Sequence, residues 1–463
     1  MVMLRAFTYI VLFLTLYIFY LTNSILLEPY MDEIFHFPQA LKYYKGNYSD
    51  WDPKITTPPG LYIYSAAVLH PVSWISTLDV AKIQCFRLVN ITFTIGTIWV
   101  VFAIYKHLIK NEKFHQRDKT RIAVLSSVNI TLFPVLYFFN FLYYTDCGST
   151  FFVLLMYYWH LKKLFISASV VGAITLFFRQ TNIVWIFFVA ADESLCCLIS
   201  ILHKELKKKD KDFAYKNFSH LLKITVPLLK ENWRKIILNI LLLNAGYIIV
   251  AVCFLVFVKI NGSIALGDKE AHQVCLHIPQ LFYFFTFFTF FASPYVMSAD
   301  SCKQFLKFVR HHKMLVFELC AACAFFIACT SHVHPYLIAD NRHFTFYIWK
   351  RLLGRNVFMK YGLIPVYIFC GWSLVNALSH KDYVLKIMVG FCIFISVVPQ
   401  RLIEFRYFII PYIMLRLHLK VESLWQPYLE FILYTLVNFV VFYLFFFKTF
   451  LWEDSLEIQR FMW

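Results

Sequence analysis

Of 463 residues, 60% are hydrophobic, 20% aromatic and only 15% charged, a make-up that excludes an ordinary soluble globular domain. The net charge of +17 does not point to nucleic acid, because the basic residues are spread among the segments between apolar runs rather than gathered into a patch; an excess of Lys and Arg in cytosolic loops of a membrane protein accounts for it. The apolar runs are continuous rather than alternating, which excludes a β-barrel and leaves helices as the spanning elements.

In chain order, the run from Phe7 to Leu27 is too long for a signal-peptide core and has no small-residue cleavage site before Glu28-Pro29, so it predicts a retained first span with a cytosolic amino terminus. Further runs from Leu88 to Tyr105, Ile236 to Val258 and Phe431 to Phe447 approach the length of a bilayer crossing, and the whole pattern predicts an all-α polytopic membrane protein with about eleven to thirteen spans. No tandem repeat, Gly/Ser linker or low-complexity tail marks a second domain, so residues 1–463 read as a single transmembrane domain.

Loop charge sets the orientation. The segment Lys106 to Arg121 carries six basic residues, the segment 204–235 carries ten and Lys303 to Lys313 carries four, which predicts that all three are cytosolic. The loop 28–70 has five acids against three lysines and belongs on the opposite side. Threading the chain between these anchors gathers Asn140 to Asp146, Phe178 to Asn182, Gly267 to Glu270, the loop 331–355 and Gln400 to Arg406 on that second side. Charges cost about 2.5–3.5 kcal/mol each at the centre of a span, so their collection on one face, against the positive-inside bias, suggests use; ordinary loop charge is the alternative. Twelve cysteines give no disulfide framework, since Cys253, Cys370 and Cys392 lie in spans, and the Cys320/Cys323 pair has no histidine or carboxylate beside it and reads as packing.

The first candidate site is Asp32-Glu33 with His36 one helical turn on. A carboxylate in a partly dry cleft suits a general base that takes a hydroxyl proton as a bond forms, while two acids after Pro29 also suit a helix amino terminus. Asp50-Trp51-Asp52 matches the DxD pattern of a metal site formally, but its loop is too short for the soluble domain that such a motif needs, and no metal is expected. Between 332 and 351, His332, His334, Arg342, His343, Lys350 and Arg351 alternate with aromatics, a composition that could hold a phosphate by charge-assisted contacts or simply anchor the chain at the interface. His332 and His334, two apart, point different ways on a helix. Arg401, Glu404, Arg406 and Tyr407 form a third such cluster. The remaining polar candidates on this side, as sugar-binding groups, are His36, Trp51, Asp52, Tyr144, Asp146, Arg179, Gln180 and Asn182. Of five Asn-x-Ser/Thr sequons, at 47, 90, 129, 217 and 261, only Asn47 and Asn261 fall in loops expected outside the cytosol. A transporter would also use intramembrane charge, but transporters favour internal repeats and mid-span acids, whereas these charges sit at span ends.

The stretches EPYMDEIFHFPQA, WDPKITTPPGLY, LYFFNFLYYTD, FRQTNI, LHIPQLFYFF, ADNRHFTFYIWKR, EFRYFIIPY and IQRFMW, in that order from Glu28 to Trp463, resemble the α-1,2-glucosyltransferase family of the dolichol-linked oligosaccharide pathway. Only the basic segment 204–235 lacks a distinctive match. The resemblance implies a GT-C glycosyltransferase fold, residence in the endoplasmic reticulum membrane with a luminal active site, dolichyl-phosphate-glucose as donor and the diglucosylated dolichyl-diphosphate oligosaccharide, Glc2Man9GlcNAc2, as acceptor. It further implies an inverting single displacement; no metal or other cofactor is expected, because the sequence offers no credible ligand set. On this resemblance Asp32 maps to the acidic base of the first luminal loop with Glu33 beside it, leaving open which of the two acts. Arg342, His343, Lys350, Arg351, Arg401 and Arg406, with His332 and His334, are then the expected donor phosphate and lipid contacts.

Overall fold

The computed structural model describes residues 2–77, 79–209, 218–271, 273–453 and 457–463. Apolar runs become helices because backbone polar groups withdrawn from water must bond to each other. In α1 (Val2–Ile25) the inward residues include Thr8, Thr15 and Thr22, whose hydroxyls donate back to the carbonyls of Leu4, Val11 and Ile18 and so leave no polar atom unpaired. The expected acidic loop holds α2 (Glu33–Tyr44) and leads to α3 (Gly60–Ile75). The long α4 (Ile83–Leu108) packs along α5 (Gln116–Thr131) and α7 (Asp146–Leu161), with the short α6 (Pro134–Phe139) between them in sequence. α8 (Phe165–Phe178) folds back on α7 and is followed by α9 (Ile183–Lys209). Of the basic segment expected over 204–235, residues 210–217 lie outside the described residues, and the flanks belong to α9 and α10 (Phe218–Leu243).

The span expected over Ile236–Val258 is not one helix. The chain breaks at Asn244 and turns by 71° into α11 (Ala245–Asn261). The Asn244 side chain donates to Ser194 Oγ of α9, and Gly246 sits so close to α8 that a Cβ there would lie 2.1 Å from Ser169 Oγ. A side chain at 246 would push α11 off α8.

The second half holds α12 (Pro279–Phe291), α13 (Ser293–Val296), α14 (Ala299–His311), α15 (Lys313–Thr330), α16 (Pro335–Ala339), α17 (Phe344–Ile348), α18 (Val357–Gly362), α19 (Ile364–Ala377), α20 (Tyr383–Val397), α21 (Ile409–His418) and α22 (Trp425–Phe447). A hairpin of β1 (Thr449–Leu451) and β2 (Ile458–Arg460) follows, with Thr449 opposite Arg460. The chain is thus an all-α, multi-pass membrane protein apart from this hairpin. Among the described residues, six helices are long and apolar enough to cross a membrane, or seven if the bent α10–α11 pair counts as one. Other apolar helices, such as α8 with 14 residues and α20 with 15, are shorter than a bilayer crossing. The 16 residues of α7 at about 1.5 Å each make about 24 Å, short of a hydrocarbon core of roughly 30 Å.

A buried polar pin fixes these helices to one another. Arg416 of α21 and Glu430 of α22 are both fully buried and 2.6 Å apart. Arg416 also donates to Tyr105 of α4 at 2.6 Å, and Glu430 accepts from Asn129 of α5 at 2.7 Å and Tyr295 of α13 at 2.9 Å. Removing one partner of such a pair costs about 3–5 kcal/mol, which holds α21 in a single setting. Beside it Phe133 stacks on Tyr412 at 4.5 Å between ring centres.

Candidate active site

The ends of the shorter helices surround a cavity of about 890 Å³. Asp32 precedes α2, Asp146 opens α7, Arg179 follows α8, and the loop from Pro399 to Arg406 joins α20 to α21; all contribute to its wall.

The two adjacent acids of the first loop point apart. Met31 has a left-handed backbone, φ 58°, a conformation that a residue with a side chain adopts rarely and mostly in turns or functional loops. Beyond this turn Glu33 is fully buried. Its oxygens accept from Arg87 Nε at 2.9 Å and Nη2 at 2.6 Å, from the Tyr143 backbone N–H at 2.5 Å and from the Tyr30 N–H at 2.9 Å. Glu33 does not line the cavity. Asp32 does, and although it stands at the amino terminus of α2 its side chain makes no capping bond. It accepts instead from Arg406 Nη1 at 3.2 Å.

Arg406 is the hub of the charged wall. Its Nε donates to Glu404, its Nη1 to Asp32, and its guanidinium lies over the rings of Tyr144 at 5.0 Å and Phe139 at 5.3 Å. Burial alone would lower its pKa, but Glu404 and Asp32 drive it well above the ordinary arginine value, so it stays charged. Withdrawal from water would raise the Asp32 carboxyl, yet the neighbouring positive charge, chiefly that of Arg406, brings it below the usual value. His36 behaves oppositely: burial dominates and pushes it down to about 4, so it is neutral, with Nδ1 2.5 Å from the Tyr62 hydroxyl. Tyr144 accepts from the Asp32 N–H at 3.2 Å, and Asn90 Nδ2 holds the Tyr144 segment through the Leu142 carbonyl at 2.7 Å.

A second ion pair joins Asp146 Oδ1 to Arg179 Nη2 at 2.9 Å. Next to it Gln180 donates to the Thr56 carbonyl at 2.7 Å and Asn182 to Ser149 Oγ at 2.8 Å, and all four expected residues, Asp146, Arg179, Gln180 and Asn182, line the cavity. On the remaining wall Asp340 grips Arg342 through Nε at 2.9 Å and Nη2 at 2.8 Å, while the guanidinium lies 4.7 Å from the Trp452 ring centre. Burial would raise the Asp340 carboxyl, but the Arg342 hydrogen bonds bring it below its usual value.

The segment 458–463 ties these walls together. Met462 pairs with the 342–344 backbone, its N–H donating to the Arg342 carbonyl at 2.9 Å and its carbonyl accepting from Phe344 at 3.0 Å. Gln459 Oε1 accepts from Arg342 Nη1 at 3.1 Å, His343 Nδ1 lies 2.6 Å from the Trp463 oxygen, and the Tyr30 hydroxyl contacts both backbone polar groups of Arg460. Arg460 in turn donates to the carbonyls of Phe445 and Phe446 at the end of α22.

Several sequence candidates lie away from the cavity. Lys350 and Arg351 are exposed and rest over Phe346 and Tyr347, as interface anchors do. Arg401 is exposed; His332 stands edge-on to His277; His334 binds the Tyr336 N–H and the Ala271 carbonyl. Asp50 pairs with Lys42, Asp52 accepts from the Lys54 N–H, and Trp51 packs on Tyr43 and Tyr62. Among the described residues no three His, Cys, Asp or Glu side chains converge as a metal site. The Asn47 side chain is exposed, whereas Asn261 spends its amide on the Ser263 and Ala265 carbonyls. Residues that sequence reasoning passed over are Arg87, Asp340, Trp452 and Gln459. Arg87 carried a readable signal: an arginine directly against the apolar run that begins at Leu88 calls for an acid as partner.

Fold and cavity define a multi-pass membrane protein with charge-paired carboxylates and arginines at its helix ends, a class suited to polar or anionic head groups presented at a bilayer. The chain belongs to the DIE2/ALG10 family, whose sequence profile matches residues 26–417. It is similar to a Homo sapiens protein at 41% identity over 94% of this chain and 93% of that protein, and to one of Rattus norvegicus at 40% over the same shares. A relative from Arabidopsis thaliana is 33% identical over 96% of each chain. All three bear the name Dol-P-Glc:Glc(2)Man(9)GlcNAc(2)-PP-Dol alpha-1,2-glucosyltransferase. No solved structure matches the chain.

Proposed function

We propose that this chain transfers glucose from dolichyl-phosphate-glucose to the Glc2Man9GlcNAc2 dolichyl-diphosphate acceptor in α-1,2 linkage, in the endoplasmic reticulum membrane, with a GT-C arrangement whose cavity faces the lumen. The shared name of near-full-length relatives supports the substrates. The observation that carries the chemistry is Asp32: a carboxylate held ionised by Arg406 on the wall of a cavity that also presents Arg342 and His343.

In this reading Asp32 takes the proton of the acceptor 2-hydroxyl as that oxygen attacks the glucose anomeric carbon from the face opposite the phosphate, inverting it in one displacement. The dolichyl phosphate leaves with the bonding electron pair and needs no general acid. Arg342, His343 and Arg406 stabilise its growing charge. Protonation of Asp32 loosens its hold on Arg406 at the moment the phosphate becomes more anionic, so one guanidinium serves both ends of the step. Glu33 and Arg87 hold the loop in shape rather than touching substrate, and Lys350, Arg351, Arg401, His332 and His334 serve the interface or the loop scaffold. His36, Tyr144, Asp146, Arg179, Gln180 and Asn182 face the sugars.

The test uses membranes from cells that lack their own terminal glucosyltransferase and express this chain. Labelled dolichyl-phosphate-glucose and the diglucosylated acceptor are expected to yield a triglucosylated product with an α-1,2 terminal residue. Absence of that product with the intact chain overturns the reading.

A further inference from the structure

Among the described residues, several buried polar atoms on the cavity wall have no hydrogen-bond partner, and two of them are neighbours: Asp146 Oδ2 and Thr150 Oγ1. A buried polar group without a partner costs about 1–3 kcal/mol, so a bound water or a ligand group meets it, and on a cavity wall a ligand can supply the missing bond. The two residues are four apart in α7, which puts them on one face, one turn from each other. Some helical threonines are paired and others, Thr94 and Thr289 among them, are not. Thr15, Thr22 and Thr131 each donate to the carbonyl four residues earlier, whereas the Thr150 hydroxyl keeps both its donor and its acceptor free. Arg179 occupies Asp146 Oδ1 and so fixes the other oxygen in place. From α20, Ser396 Oγ is a third unpaired atom on the same cavity wall.

This part of the cavity wall is withdrawn from solvent. Asp146 is 3% exposed, Thr150 2% and the neighbouring Asn182 and Trp185 1% and 2%, while Lys54 and Ile264 on loops elsewhere in the wall are exposed. A branched oligosaccharide needs the solvent-exposed part of the wall; a single hexose fits against the buried part. We propose that Asp146 Oδ2 and Thr150 Oγ1, with Ser396, form the subsite that reads the ring hydroxyls of the donor's glucose. Asp146 accepts from one hydroxyl, and Thr150 exchanges a bond with its neighbour on the ring. An epimer with one of these hydroxyls inverted leaves a buried partner unpaired, the situation in which a hydrogen-bonding site discriminates most strongly.

The inference rests on the proposed glucose transfer, and the experiment separates the two. With the full chain in membranes, Thr150→Val keeps the shape and removes the hydroxyl. The donor KM is expected to rise about three- to tenfold, as loss of one neutral hydrogen bond predicts, with the acceptor KM and the thermal midpoint unchanged and Thr150→Ser restoring the donor KM. Asp146→Asn, which keeps Oδ1, should raise the donor KM further. A set of donors each lacking one ring hydroxyl supplies the decisive reading. On the analogue that lacks Thr150's partner, wild type and Thr150→Val become equal, while on the others the two losses add. An unchanged donor KM, a rise in acceptor KM alone, or additive losses on every analogue overturns the subsite. No transfer by the wild-type chain overturns the underlying function instead.

Discussion

Glu33 and Arg87 meet through two hydrogen-bonded contacts, 2.6 and 2.9 Å, with both side chains fully removed from solvent. The pair ties the start of α2 to the first turns of α4 and separates the roles of two acids that stand side by side in the chain.

Glu33→Gln leaves the Arg87 charge buried with a neutral partner, which is expected to cost about 3–5 kcal/mol and to appear as a lower thermal midpoint and poor expression. Asp32→Asn is expected to abolish glucose transfer with a much smaller drop in the midpoint, since Arg406 keeps Glu404 as a partner. Measuring both properties on both variants decides the assignment, and near-normal turnover by Asp32→Asn would sink it.

Arg406→Lys keeps a positive charge but loses the planar fork that reaches Glu404 and Asp32 together. Transfer should fall by about 10²–10³, the range for losing one preorganised donor at a developing charge. With Arg406→Gln, which removes the charge as well, the acid limb of the pH–rate profile should move to higher pH, because the Arg406 charge chiefly holds the Asp32 carboxyl below its ordinary value. A loss of rate without that displacement would confine Arg406 to the phosphate.

Stability should fall as the pH drops from 6.5 towards 4. The unfolded chain protonates His36 near 6.5, while the folded chain resists it down to about 4, so within that window the unfolded state binds more protons and gains ground. Asp32 acts lower: its depressed folded pKa contributes stability above the unfolded value of 3.8, lost only as the pH falls through the folded value. Thermal unfolding of the detergent-solubilised chain measures this, and His36→Gln should flatten the upper part of the curve.

Gln459→Leu removes the acceptor that steadies Arg342 Nη1 without changing a residue on the cavity wall. The donor KM should rise several-fold with kcat little altered, while Gln459→Glu, which keeps an oxygen for Arg342, should restore it. Equal changes in KM and kcat, or failure of the Glu variant to rescue, would mean that the segment 458–463 supports the fold only.

Chelators should leave the rate unchanged in membranes that transfer glucose. The cavity wall carries the guanidinium groups of Arg179, Arg342 and Arg406 and the ammonium of Lys54, and four of its carboxylates, Asp32, Asp146, Asp340 and Glu404, each face an arginine. A rate abolished by chelation and restored by a divalent ion would contradict this mechanism.

The sequence by itself determined the membrane class, the helical architecture and the family, because hydropathy and long runs of matching motif are properties of the chain taken in order. It also singled out Asp32, Asp146, Arg179, Arg342 and Arg406 as candidates, since charges beside apolar spans stand out wherever they fall. Which of those candidates share a cavity was decided only by the tertiary structure. Asp32 and Glu33 are equivalent as neighbours in the chain. What parts them is Arg87 on another helix and Arg406, separated from Asp32 by 374 positions, and such pairings follow from packing, not from local pattern. Lys350 and Arg351 share a loop with Arg342 but rest on aromatic rings at the surface, so proximity in sequence did not carry them to the site. The break at Asn244 and the unpaired atoms of Asp146 and Thr150 were hidden for the same reason. A kink or an empty hydrogen-bonding position is defined by what lies opposite it, and only the folded chain supplies that.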